Sequence, residues 1–157
     1  MSALKNLQPQ RVFYYFEQLS SIPHGSGNMD AVAQFCVDFA IEHNLKYIRD
    51  NANNVIIYKK ATAGYEDHPT IMIQAHMDMV CEKDEDCPIN MDTDGLDVTH
   101  DGQYVFAKGT TLGGDNGIAV AYALAILADR SIAHPALEVI ITVDEETGMD
   151  GAEGSVH

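Results

Sequence analysis

Apolar and polar positions divide the chain into alternating helical and extended stretches. Residues 9–21, PQRVFYYFEQLSS, read as a short helix with Pro9 near its first turn, where a missing N–H costs nothing. SIPHGSGN follows as a loop by its Pro and Gly content. In NMDAVAQFCVDFAIEHN the apolar residues Val32, Phe35, Cys36, Phe39 and Ala40 recur at the spacing of an amphipathic helix. Asn28 or Asp30 is the expected cap at its start. LKYIRD and NNVIIYKKA predict two strands joined through the turn-rich DNANN. TIMIQAHMDMV opens with a continuous apolar run, which suits a strand buried on both faces.

The next segment, CEKDEDCPINMDTDGLDVTHDGQ, is polar and acidic and predicts a long surface excursion, closed by a short strand at YVFA. A Gly-rich loop, KGTTLGGDNG, then leads into IAVAYALAILAD, a helix apolar around nearly its whole circumference and so expected to be buried. ALEVIITV is the last predicted strand. Strands alternating with helices of this length predict an α/β fold, a three-layer sandwich around a mixed, largely parallel sheet.

Composition narrows the function. The chain has 157 residues, enough for one domain with a real core. Twenty-four acids face nine Lys and Arg, a formal net charge of −15. Nucleic acid and anionic membranes are therefore poor partners, because both are bound through Lys and Arg. Metal cations and cationic or zwitterionic small molecules are better ones. Three cysteines without CxxC spacing make no disulfide framework, although a single Cys81–Cys87 bridge is compatible with the spacing. No apolar run reaches the length of a membrane span, and the first ten residues lack a signal-peptide core, so a cytoplasmic setting is expected.

Three sites carry candidate chemistry. In AHMDM, His76 and Asp78 are two residues apart, so on an extended strand both point to one face. An imidazole that ligates a metal usually has a partner fixing its tautomer; the plainer reading is a hydrogen-bonded core histidine. In TLGGDNG, Asp115 opens a buried helix, where a helix cap is the plainer role. The loop matches neither common phosphate-binding motif, and a carboxylate there would repel phosphate. In EVIITVDEETG, Asp144, Glu145 and Glu146 stand where a buried strand emerges, the edge at which open α/β sheets place ligands. One histidine and several carboxylates form a donor set for Zn, Mn or Co. A solvated acidic turn is the plainer reading of the three acids alone; with two metals close together a lone Asp would suit the bridge, and Glu145 and Glu146 could divide the roles of base and ligand. DTDGLD fails the calcium-loop spacing.

AHMDMV, GTTLGGDNGIAVAYALAIL and VDEETGMDGA resemble the metal-site motifs of the M20 dizinc peptidases, most closely the aminoacyl-histidine dipeptidase branch, also called Xaa-His or cytosol non-specific dipeptidases. The resemblance implies a zinc-exopeptidase-like fold and two Zn²⁺ per site, with Mn²⁺ or Co²⁺ as substitutes. It implies His76 and Glu146 as metal ligands, Asp115 as the bridging ligand, and Asp78 as the acid that orients His76. It further implies Glu145 as the general base, three acids facing the pair of metal ions, a dipeptide substrate, and a cis peptide bond after Asp115. In the family the chain continues past this point, supplying a further acidic ligand, a histidine ligand and a lid domain that mediates dimerisation. Residues 1–157 are thus expected to be the N-terminal part of a catalytic domain, without the lid, and weak or inactive alone. The family's full-length enzymes are expected to be homodimers. The competing expectation is a non-catalytic interaction module that offers an uncovered ALEVIITV strand for pairing with another chain.

Overall fold

The structure, a computed structural model, describes residues 2–148. The elements in chain order are α1 (Gln10–Ser20), α2 (Asp30–Glu42), β1 (Lys46–Arg49), β2 (Val55–Lys59), β3 (Ile71–His76), β4 (Val98–His100), β5 (Val105–Ala107), α3 (Gly114–Ala128) and β6 (Leu137–Thr142). A single 3-10 turn, Glu145–Thr147, follows β6.

The main sheet has the order β1-β2-β6-β3. β3 runs parallel to β6, while β1–β2 and β2–β6 are antiparallel. The sheet is mixed, as expected, but its parallel share is one pairing of three. A separate hairpin joins β4 to β5, and β4 lies inside the stretch read from sequence as irregular.

Burial alternates along the strands. Val55 and Ile57 of β2, Ala75 of β3, and Val139 and Ile141 of β6 are fully buried and share one face by register. That face joins one core with Val12, Tyr15, Phe16 and Leu19 of α1, Val32, Cys36 and Phe39 of α2, and Val120 and Leu124 of α3. α1 crosses α3 closely at Gly117, where an added Cβ would meet the Phe16 ring at 3.4 Å. The opposite face keeps Ile56, Tyr58 and Ile140 only partly covered, and Met72 is 62% exposed. Among the described residues the three-layer sandwich is therefore represented by two layers, helices lying on one face.

Three local expectations are corrected. β3 is an edge strand buried on one face only, with Ile71 and Met72 exposed, so its apolar run did not mean burial on both sides. β6, expected to offer a free edge, is instead central and paired on both sides. α2 is capped at Met29 without a side-chain bond, so neither Asn28 nor Asp30 serves as its cap. All three cysteines are free thiols. Burial pushes the Cys36 thiol up to about 12, in keeping with a core role. No described helix is long and apolar enough to cross a membrane.

Candidate metal centre

The parallel pairing of β3 with β6 assembles the site. His76, the last residue of β3, stands opposite Thr142, the last of β6. The ladder continues one step further, Met77 N–H donating to Thr142 O at 2.8 Å. Both strands thus emerge at one sheet edge, and the chain beyond each is brought together there. Buried Asn54 holds the exit from β6, its Oδ1 accepting from Val143 N–H at 3.1 Å.

Asp78 is the hub. It is 1% exposed, and four donors converge on its carboxylate. Oδ1 lies 3.1 Å from His76 Nδ1 and accepts from Glu145 N–H at 3.1 Å. Oδ2 accepts from Ser26 O–H at 2.6 Å and Glu146 N–H at 3.2 Å. The His76 Nδ1 also faces the Asp78 carbonyl at 3.1 Å. With two acceptors at Nδ1, that nitrogen carries hydrogen and Nε2 is turned to the open side.

Around Nε2 the acids gather. Asp115 Oδ1 is 3.1 Å away and Glu145 Oε2 3.7 Å away. His76, Asp115 and Glu146 each offer one ligand atom, all within 4.8 Å of one another. Asp115 is delivered by the start of α3, where Gly113 takes a left-handed φ of +71° and packs on Met79. The Asp115–Asn116 peptide is cis, as the resemblance implied. Burial pulls the His76 pKa down, but hydrogen bonds to Asp115 and Asp78 and the charges of Asp78 and Glu145 outweigh it. The net direction is upward. In the metal-free protein these carboxylates favour a proton on His76.

Asp144 departs from the expectation that all three acids face the metals. It sits in a left-handed conformation with φ +54°, and its Oδ1 accepts from Gly27 N–H at 2.7 Å. It fastens the turn rather than lining the site.

Comparison with known proteins decides the family. The description "Peptidase family M20/M25/M40" matches residues 72–157, more than half of the chain. This chain belongs to that family. It is 44% identical over 154 residues to the Escherichia coli (strain K12) cytosol non-specific dipeptidase, covering 98% of this chain and 32% of that protein. It superposes on the aminoacylhistidine dipeptidase of Vibrio alginolyticus with a TM-score of 0.94 and 43% identity, covering 97% of this chain and 31% of that one. A tripeptidase from Staphylococcus aureus, at 23% identity and TM-score 0.76, shares the fold over 95% of this chain and 40% of its own. The chain thus spans about a third of the length of its two dipeptidase relatives.

For this M20 chain the structure brings together five of the six residues singled out from sequence, His76, Asp78, Asp115, Glu145 and Glu146. Sequence reading missed Ser26 and Gly27, which reach the site from the loop between α1 and α2. Their signal was absent because both bonds link residues at least 52 positions apart. The part of the VDEETGMDGA motif beyond Gly148 lies outside the described residues.

Proposed function

We propose that this chain is the N-terminal, metal-binding part of the catalytic domain of a dipeptidase that acts on Xaa-His-type dipeptides in the cytosol. The full-length enzyme is read as a homodimer. The observation that carries the proposal is the convergence of His76, Asp115 and Glu146 at one sheet edge, with the Glu145 carboxylate 3.7 Å from His76 Nε2. The identity to a cytosol non-specific dipeptidase supports the substrate class.

One imidazole nitrogen and carboxylate oxygens within 4.8 Å fit zinc, with manganese or cobalt as substitutes. His76 and Glu146 would hold one ion each, and Asp115 would bridge them. Zinc bound there supplies Lewis acidity toward the scissile carbonyl and lowers the pKa of water. The rest falls to the chain's own groups. Asp78 fixes the His76 ring so that Nε2 faces the centre. Glu145, with its side chain 38% exposed, has the reach to take a proton from water and return it to the leaving amine. Its backbone N–H is held by Asp78, so the base and the histidine share one anchor.

Shared between two ions, this set would offer each two protein ligands, where a catalytic zinc generally has three. Weak metal binding and slow turnover by the chain alone follow. The test is hydrolysis of a histidine-ending dipeptide with zinc or manganese added, alongside Glu145→Gln. Turnover in the variant is expected to fall by about 10²–10⁴-fold while zinc binding persists. Turnover that survives in Glu145→Gln would remove Glu145 from its assigned role.

A further inference from the structure

Ser26 lies in the loop between α1 and α2, far in sequence from every residue assigned above, yet it makes the shortest bond to Asp78. We propose that Ser26 is a positioning residue of the metal centre: its hydroxyl locks the Asp78 carboxylate on which both His76 and the Glu145–Glu146 turn depend. The proposal rests on the metal-centre reading of His76, Asp115 and Glu146.

A carboxylate rotates softly about its last torsion, so donors on both oxygens are needed to hold it in one plane. Oδ1 has His76 Nδ1 and Glu145 N–H. Oδ2 has, among the described residues, Ser26 O–H at 2.6 Å and Glu146 N–H at 3.2 Å. Among the described residues, Ser26 and His76 are the side chains that bond this carboxylate. Because Asp78 is 1% exposed, water does not replace a lost donor there. A charge-assisted bond is stronger in such surroundings.

The hydroxyl is itself well placed. Ser26 N–H donates to Met79 O at 3.3 Å, and Met79 N–H to His24 O at 3.1 Å, so the loop runs beside the chain that leaves β3. One residue on, Gly27 N–H holds Asp144 at 2.7 Å, immediately before Glu145. The same loop therefore grips the turn from two sides, through Asp78 and through Asp144.

A merely structural role would have Ser26 pin the loop, and Asn28 provides the control. Its side-chain amide donates to Asp92 O at 3.1 Å, anchoring the same loop without touching Asp78. Zinc affinity by calorimetry and amide exchange at Glu145 and Glu146 are measured in the full chain at one pH, for Ser26→Ala, Ser26→Thr, Asn28→Ala and His76→Ala. Ser26→Ala is expected to weaken zinc binding about tenfold and to speed exchange at both amides. Ser26→Thr, which keeps the hydroxyl, restores both, and Asn28→Ala changes neither. Ser26→Ala behaving as wild type while His76→Ala loses zinc would overturn the role of Ser26 and leave the centre standing. Equal effects in Ser26→Ala and Asn28→Ala would reduce it to loop anchoring. His76→Ala binding zinc as wild type would overturn the centre and this proposal with it.

Discussion

His76 stands between two carboxylates, Asp78 at Nδ1 and Asp115 at Nε2, each 3.1 Å away. With Nδ1–H on Asp78, a second proton on Nε2 lets the ring donate to both partners, and a metal ion must displace that proton. The raised His76 pKa therefore sets opposite slopes for the two states. In the metal-free protein the protonated ring contributes stability fully below the ordinary histidine value of about 6.5. That contribution is lost as pH rises through the higher folded pKa. Zinc affinity runs the other way. It should level off above the raised pKa and fall about tenfold per unit below it, one proton being displaced per site. Calorimetric zinc titrations across this range check the slope, and a pH-independent affinity would exclude His76 as a ligand. The meeting of these residues at one sheet edge was legible in sequence, through their places at strand ends and in a Gly-rich loop and through the resemblance of their motifs to the M20 peptidases. The tethers from Ser26 and Gly27 were not, since no local pattern encodes a bond between distant loops.

At the scale of elements, β6 organises the molecule. Its inward residues Val139 and Ile141 pair across to Ile57 and Val55 on one side and to Ile73 and Ala75 on the other. Ile141 is fully buried, whereas Ile140 faces the thinly covered side. Ile141→Ala should cost about 2–5 kcal/mol by urea denaturation. Ile140→Ala should cost well under half of that, and equal costs would contradict a sheet covered on one face. Hydrophobic periodicity located the helices and the main strands to within a few residues. It misjudged β3, where four apolar residues in TIMIQA suggested burial on both faces, yet Ile71 and Met72 lie exposed at a sheet edge. Sequence reports what a strand can bury; neighbours decide what it does bury. β4 escaped notice because three residues in a polar excursion carry too little pattern to read.

For the whole molecule, a net charge of −15 and a cluster of carboxylates at one sheet edge favour a cation as the resident partner. Parallel pairing of β3 and β6, delivery of Asp115 by α3, and the anchor at Asp78 together gather the proposed ligands at that edge. The measurement that tests this most directly is a zinc titration of the chain against Asp115→Ala, which removes the proposed bridge while leaving the buried His76–Asp78 pair intact. A saturable zinc site in the chain, weakened at least about tenfold in Asp115→Ala, is the predicted result. Equal zinc affinity in the two, or no saturable site in the unaltered chain, would contradict the account.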